Sequence, residues 1–402
     1  MLNLKSFIKI TQQGNKIYPN RSDTFTFDFV NSVEVVATWE NLADTAEIVM
    51  PQKCYVLDKN GKQYSWLGKN IGGKQDTSPI IMRGDKIEIS LGYNYFDVTQ
   101  GVNKRVTEMN LVFSGYISEV KSKKPITIKC MDNMWKLSQT LAPNKVWTGK
   151  TIQEVVEELL KPTGLKLNTT ISGEKLSTKI NPPIQSQNQT IAQVLEMIQR
   201  NYKFETFFKG DTLYTGAFRY YTDNVKEHVF RFQDNIISDN LEYVRTDDVV
   251  LGIQAQSYEQ VAVNTGTRKD GRAKVKTKRL SCFAVWQFGD VVVYDAKPEG
   301  WQGEQRSLNL PATTLDELKY LVKKNAYKLI YQGFKGEFTT FGLPFVRHGD
   351  NIILRDTILP DRNGTYKAKK NTINFGMNGF RQTIEIDMRV DTLSKDTIDS
   401  GI

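Results

Sequence analysis

The chain has 402 residues, of which 39% are hydrophobic, 11% aromatic and 25% charged. These values are typical of a folded protein and argue against a disordered chain. A formal net charge of +9 is modest for this length and does not by itself indicate a nucleic-acid-binding protein. Lys5 and Lys9 interrupt the first apolar stretch, and no run reaches the roughly 18 apolar residues of a membrane span, so we expect neither a signal peptide nor a membrane span.

The residue types that usually form metal and disulfide sites are scarce. Cys54, Cys130 and Cys282 are odd in number and far apart, so we expect free thiols rather than a disulfide framework. His228 and His348 have no cysteine or histidine at metal-ligand spacing. The sequence therefore predicts no metal site and no cofactor.

The first part of the chain alternates apolar and polar residues with a period of two. This pattern is typical of half-buried antiparallel strands, in a sheet or barrel. It recurs in residues 24–30, 33–39, 46–50, 87–91 and 126–130. We assign residues 1–140 to a first β-domain.

Helical signals follow from residue 151. Thr151 and Glu154 form a capping box, in which each side chain accepts a hydrogen bond from the other residue's backbone amide. Thr190 and Gln193 open a second helix in the same way, and strand-like pieces follow both helices. We assign residues 141–222 to a small α+β domain inserted into the β fold.

Strands return after residue 222, at 228–232 and 249–258, and the last ordered residues are strands again. Between them we predict a basic loop at 262–280 and a helix from 315 to about 332, which a third capping box opens. We assign 223–262 and 333–390 to a second β-domain. Residues 263–332 are its elaboration, and 391–402 form a C-terminal tail.

One phrase occurs twice: a basic residue, Gly-Asp, then alternating apolar residues, as Gly84-Asp85 and again as Gly349-Asp350. In both copies a strand, a glycine-containing strand and another strand follow. Gly-Asp supplies a turn, and the glycines at 115 and 364 can permit a bulge. Because Gly-Asp before a strand is common, the repeat is either a chance echo or a duplicated domain.

Several sequence patterns resemble catalytic motifs but lack residues that the chemistry requires. Residues 68–75 nearly match a phosphate-binding loop, but Gln75 replaces the hydroxyl that would hold magnesium, so a flexible loop is the simpler interpretation. The adjacent carboxylates at 157–158 and 247–248 diverge and are poor acid/base couples, which favours solvated surface. No nucleophile elbow occurs. We do not predict an enzyme.

Several stretches together resemble the hub proteins of phage tail tips and baseplates, the late-control-protein-D-like family shared with contractile injection machines. They are GDKIEISLGY (84–93), FSGYISEVKSKKPITIKCMDNMWKLSQ (113–139), the helix pair TIQEVVEELL (151–160) and TIAQVLEMI (190–198), and GFKGEFTTFGLPFVRHGDNIIL (333–354). The resemblance spans about 30–390 and departs from the family pattern at 262–310.

The resemblance implies a mainly β fold, with two tube-type β-barrels joined through a small α+β domain, assembled as a homotrimer. Three chains would present six similar barrels, which would adapt a hexameric tail tube to a trimeric spike or fibre. The implied location is the virion tail tip or baseplate after assembly in the host bacterial cytoplasm. The implied partners are the tail tube protein, the spike or tail-fibre protein and other baseplate proteins. A stand-alone protein- or carbohydrate-binding β module, or a tail-associated cell-wall hydrolase, remains the alternative.

Two groups of residues are candidates for contact with partners or DNA. The basic stretch has no aromatic residue between 264 and 280, so stacking on single-stranded nucleic acid is disfavoured. It is a solvated loop, a loop ordered by an acidic partner surface, or a DNA contact. Its cations are Arg268, Lys269, Arg272, Lys274, Lys276, Lys278 and Arg279.

A channel that lets DNA pass without binding it should be lined with acidic or mixed residues. The strand at 383–390 alternates cleanly. We therefore predict that Glu385 and Asp387 face the lumen, while Ile384, Ile386 and Met388 face the core.

Overall fold

The structure, a computed structural model, describes most of the chain. The described residues are 3–51, 55–65, 79–97, 104–121, 125–168, 180, 183–202, 204–216, 225–244, 251–267, 273–287, 290–310, 312, 314–329 and 333–390. The fold is mainly β with a small α+β insertion, as the sequence predicts. None of the helices in these ranges is long and apolar enough to cross a membrane.

The first β-domain is an antiparallel sheet around one apolar core. Its strands are β1 (Asn3–Thr11), β2 (Thr24–Phe27), β3 (Ser32–Thr38), β4 (Thr45–Val49), β5 (Tyr55–Asp58), β6 (Gln63–Ser65), β7 (Lys86–Asp97), β8 (Lys104–Lys121) and β9 (Thr127–Met131). Alternate side chains enter the core, as in β9, where Ile128 and Cys130 are buried and Lys129 is not. The period-2 segments predicted from the sequence are confirmed as strands.

The insertion has its own core. Its elements are α1 (Met134–Gln139), β10 (Lys145–Trp147), α2 (Ile152–Leu160), β11 (Lys166–Leu167), β12 (Ile184–Ser186), α3 (Ile191–Tyr202), β13 (Glu205–Lys209) and β14 (Thr212–Gly216). The capping box is confirmed, because the Thr151 side chain accepts from the Glu154 amide at 3.2 Å while Glu154 accepts from the Thr151 amide at 2.7 Å. Apolar faces of α2 and α3 pack against each other in this core.

The second β-domain is assembled from two separate parts of the chain. Its strands are β15 (Glu227–Arg231), β16 (Ile236–Val244), β21 (Gly333–Phe341), β22 (Asn351–Arg355), β23 (Gly364–Gly376) and β24 (Gly379–Arg389). Phe230, Phe338 and Tyr366 are at most 1% exposed in its core. Whether either β-domain closes into a barrel stays a prediction.

An additional unit lies between β16 and β21. It contains β17 (Leu251–Thr267), β18 (Ala273–Gln287), β19 (Asp290–Tyr294), β20 (Glu304–Asn309) and α4 (Leu315–Leu329). The four strands form a separate sheet in the order β19-β18-β17-β20, and α4 packs on it. Residues 251–262, which we expected in the second β-domain, therefore belong to this sheet, because β17 pairs with β18 and β20.

The two β-domains repeat one topology. In the first, six strands lie in the order β1-β7-β8-β9-β4-β3, and in the second six lie in the order β15-β22-β23-β24-β21-β16. The corresponding strands also follow each other in the same order along the chain. One difference is that β1 and β7 are antiparallel whereas β15 and β22 are parallel.

The repeated Gly-Asp phrase makes the same turn in both domains. Gly84 and Gly349 have positive φ angles of 95° and 86°, which glycine adopts without strain. The following aspartate caps its own turn by accepting from a backbone amide three residues earlier, at 2.9 Å in both copies. Two backbone bonds also correspond: the Gly84 and Gly349 amides donate to Ile117 and Ala368, and Asp85 and Asp350 accept from the same two residues. This agreement favours duplication over a chance echo.

The bulges also correspond, although not at the predicted glycines. In the β8–β9 ladder the register shifts between Ile117 and Glu119, and in the β23–β24 ladder it shifts between Ala368 and Lys370. Gly115 instead permits a close strand approach, since a Cβ there would lie 2.3 Å from the Met131 carbonyl oxygen.

Candidate functional site

The two β-domains are joined by a strand pairing within the chain. β3 of the first domain pairs antiparallel with the C-terminal half of β23, from Lys370 opposite Thr38 to Gly376 opposite Ser32. Ile373 and Phe375 of β23 are buried in the core of the first domain. The result is one continuous sheet that passes through both domains.

The side of this sheet that faces away from the cores is polar across the joint, and we call it the polar face. Residues paired across neighbouring strands lie on one side of a sheet, so rows can be followed from domain to domain. One row is Thr339, Thr383, Thr372, Val36, Thr45 and Met131. A second row is Arg381, Asn374, Glu34, Glu47, Lys129 and Glu119.

Charges of both signs are interspersed on the polar face. Lys129 lies 3.8 Å from Glu47, with both side chains more than 40% exposed. Glu385 lies in a third row with Glu337 and Lys370. A face of mixed signs presents no block of cations to a phosphate backbone.

Glu385 is on the polar face but is paired. Its carboxylate accepts a hydrogen bond from Lys369 Nζ at 2.6 Å, and the same Nζ lies 3.0 Å from Glu40. Asp387 is half-buried two residues further along β24. That these two residues line a lumen remains a prediction.

On the other side of β24 lie the residues that we predicted to face the core. Ile384 and Ile386 are 0% and 3% exposed in the second core, which confirms that they face it. The side chain of Met388 lies outside the described part of the structure.

A cavity of about 240 Å³ lies where the first β-domain, the insertion and the second β-domain meet. Asp44, Asp132, Lys209 and His348 line it. The Asp44 amide donates to the Asp132 carboxylate at 3.2 Å, and His348 Nδ1 lies 3.9 Å from Asp44 Oδ2. The His348 ring packs edge-on against Phe207 at 4.7 Å. His348, next to the turn at Gly349, therefore contacts the insertion.

Burial disfavours charge throughout this cavity. It raises the pKa of Asp132 to about 7, and burial together with the nearby Asp132 raises the pKa of Asp44. Burial and the neighbouring Lys209 lower the pKa of His348 to about 3. Neither His348 ring nitrogen has a hydrogen-bond partner among the described residues. The cavity is thus a polar contact between three units, and the described residues around it include no arrangement of nucleophile and base.

The basic stretch is mostly strand and not the loop that we predicted. Residues 262–267 end β17 and 273–280 begin β18, and the two strands pair as a long hairpin. Lys274, Lys276, Lys278 and Arg279 therefore lie on a strand, where Arg279 is exposed. Arg268, Lys269 and Arg272 lie outside the described residues. A run of charge suggested a loop because sequence does not show the partner strand that stabilises it.

We expect substitution of all seven cations by threonine to leave the fold intact, because threonine is well tolerated in strands. If an acidic partner orders this hairpin, the variant should bind the assembled particle more weakly, and added salt should weaken the wild type in the same way. Thermal unfolding and co-sedimentation with the particle measure the two effects. Unchanged co-sedimentation at every salt concentration would contradict the partner contact.

The other sequence candidates form no site among the described residues. Residues 68–75 and 247–248 lie outside the described residues. Glu157 is exposed, whereas Glu158 is half-buried between Lys145, Lys150 and Trp147. The hydrogen bond from Lys145, against the opposing effect of burial, lowers the pKa of Glu158 to about 2, so this residue is an ion-pair centre and not simply solvated surface. Within the described ranges, no group of three or more histidine, cysteine, aspartate or glutamate side chains could hold a metal ion.

Sequence reasoning missed most of the polar face. Glu34, Glu47 and Lys129 were visible only as the polar positions of alternating strands. Nothing local indicated that β3 pairs with a strand more than 300 residues later, and that pairing is what makes the face continuous.

The fold is similar to those of several solved structures. No protein-family model and no curated protein sequence matches the chain. A tail protein from Neisseria meningitidis MC58 has a similar structure, with 12% identity, a TM-score of 0.57 and 99% of each chain covered. A 43 kDa tail protein of prophage MuSo2 from Shewanella oneidensis is 13% identical with a TM-score of 0.54, covering 97% of this chain and 98% of that one.

A chain of the Francisella PdpA–VgrG complex has a TM-score of 0.53 at 10% identity, and the match covers 98% of this chain and 59% of that one. At these identities the structural similarity shows the fold alone. For the fold, it confirms the resemblance to phage tail and baseplate proteins that the sequence predicts.

Proposed function

We propose that the protein is the structural hub of a phage tail tip or baseplate, with no enzymatic activity. Three copies form a ring that adapts a hexameric tail tube to a trimeric spike or fibre and lines part of the DNA passage. The ring is held in the virion by the tube, by the spike or fibre and by other baseplate proteins. The similar structures from phage tails support this assignment.

The observation that carries the proposal is the duplicated topology with a polar face that is continuous across both copies. Two similar β-domains in each chain give a ring of three chains six similar positions, which matches a hexameric tube. This reasoning needs only that each pair of neighbouring domains is joined in a comparable way.

The polar face suits a passage for DNA. DNA binds proteins mainly through phosphates on lysine and arginine, so a wall without a cationic block lets it slide. The row rich in threonines and the rows that mix acids and bases have this character. We propose that this face, including Glu385 and Asp387, lines the lumen.

Subunit counting in the assembled particle tests the proposal. We expect one ring whose mass is three times 45.9 kDa, seen by electron microscopy down the particle axis as six similar lobes. Six copies in the ring, or one, would contradict the adaptor. Clearing of cell walls in an activity gel by the purified chain would favour a hydrolase instead.

A further inference from the structure

We propose that neighbouring copies of the chain join by strand pairing, with the open edge of β16 in one copy antiparallel to the C-terminal end of β8 in the next. The inference rests on the proposed ring and specifies its interface. The partner is a second copy of this chain.

The first observation is an open strand edge in the second β-domain. Among the described residues, β16 pairs along one edge only, with β21. Ile237 and Tyr243 on this strand are 47% and 39% exposed. An exposed edge with apolar side chains is a template for pairing with another chain.

The duplication shows what covers the equivalent edge. In the first β-domain β3 takes the place of β16, and its edge is covered by residues 370–376 of β23. The pairing of β3 with β23 is therefore a template, within the chain, for the contact that the β16 edge lacks.

The duplication also identifies the strand that should supply the contact. β8 takes the place of β23, and the matching bulges align Glu119 with Lys370. β7 pairs with β8 only as far as Tyr116, so among the described residues 118–121 have β9 on one side and an open edge on the other. Glu119 and Lys121 are exposed there.

The register of the new pairing follows from the internal one. We followed the strand pairings outward from the matching bulges in both β-domains. In this comparison Glu242 of β16 occupies the position of Val36 of β3, and Lys121 of β8 occupies the position of Thr372 of β23. Since Thr372 lies opposite Val36 within the chain, Lys121 should lie opposite Glu242 between chains.

Charges support this register, although they played no part in deriving it. Lys121 meets Glu242 as an opposite-charge pair, which stabilises adjacent strands. The open edge of β16, with Glu242, and the open end of β8, with Lys121, are on opposite ends of the duplicated unit, as head-to-tail closure of a ring requires.

A disulfide between the paired positions tests the contact in the full chain. In a Cys54→Ser background, Lys121→Cys with Glu242→Cys should form covalent links between chains on mild oxidation, in species up to three chains on a denaturing gel. The control combines Lys121→Cys with Asn240→Cys, two residues out of register. Its Cα separation exceeds the roughly 7 Å limit for a disulfide, so we expect little linkage.

The outcomes separate this inference from the proposed function. A ring of three that assembles without the designed link overturns the β16–β8 pairing and leaves the hub assignment. Linked species that extend well beyond three chains support the pairing and overturn the ring of three. Equal linkage in the control pair overturns the register, and the absence of both ring and link overturns both proposals.

Charge exchange provides a second measurement without cysteines. Lys121→Glu alone and Glu242→Lys alone should each weaken association about fivefold per joint, because like charges then face each other. The two substitutions together should restore association to near the wild-type level. Arg200→Glu, on an exposed face of α3, should have no effect. Failure of the double variant to recover would contradict the pairing of these two residues.

Discussion

Replacement of Asp85 by alanine is expected to destabilise the first β-domain by about 3–5 kcal/mol, because it leaves a buried arginine without its counter-ion. Arg21 donates two hydrogen bonds, of 2.8 and 2.7 Å, to the Asp85 carboxylate. The side chains of Arg21 and Asp85 are 3% and 0% exposed. The same carboxylate also accepts from the Gln13 and Met82 amides at 2.9 Å. Asp85→Ala therefore removes both an ion pair and the cap of the repeated turn.

Urea unfolding measures this loss, with Glu88→Ala as the matched control. Glu88 lies on β7 close by and pairs with Lys9 at 3.2 Å, but these side chains are 31% and 42% exposed, so about 0–1 kcal/mol should be lost. Adding Arg21→Met to Asp85→Ala should recover part of the stability, since no unpaired charge then remains. Equal losses in Asp85→Ala and Glu88→Ala would show that the buried pair is not a major contributor.

The second large effect concerns a buried lysine at the corresponding turn of the other domain. Lys367 is 0% exposed, and its Nζ donates to the Gly349 carbonyl at 3.4 Å. Burial lowers its pKa from 10.5 to about 7, with Lys209 acting in the same direction and Asp350 opposing it. We expect Lys367→Met to stabilise the protein at pH 7 by about 2–3 kcal/mol, since methionine has a similar shape and no charge to bury.

The sign of the pH dependence distinguishes this cause from a general packing effect. Below about pH 7 the lysine is charged in both folded and unfolded chains, so the full cost of burying the ammonium is present. Between about pH 7 and 10.5 the folded chain loses the proton first, and the cost disappears. The advantage of Lys367→Met should therefore shrink from pH 7.0 to pH 9.5.

Urea unfolding of both proteins at the two pH values measures that difference. Lys370→Met, at a half-buried position on the same strand, serves as the control for the exchange of a lysine for a methionine. A stability gain that stays constant between the two pH values would contradict titration of Lys367 as the cause.

Local features of the fold could be predicted from the sequence, because short-range chemistry determines them. The Thr151–Glu154 cap and the turns at Gly84 and Gly349 need only residues close to them in the chain. Strand partners could not be predicted in the same way. Residues 251–262 alternate like a strand of either sheet, and pairing with β18 decides between them.

The candidate site was harder to predict than the fold. Glu385 was found because β24 alternates clearly, but its bond to Lys369 depends on a bulge in β23. The contact of His348 with Phe207 joins two units far apart in sequence. Such contacts depend on how separate units pack, and periodicity carries no information about that packing.

The unit between β16 and β21 leaves and re-enters the second β-domain at one place. Val244 and Gly333 are paired opposite each other, whereas the equivalent strands β3 and β4 are connected by residues 39–44 alone. A unit whose two ends are adjacent places little constraint on its host, so it can be exchanged, enlarged or trimmed while the ladder beneath it is kept. The length and content of this unit can thus change without any change in the sheet that carries it.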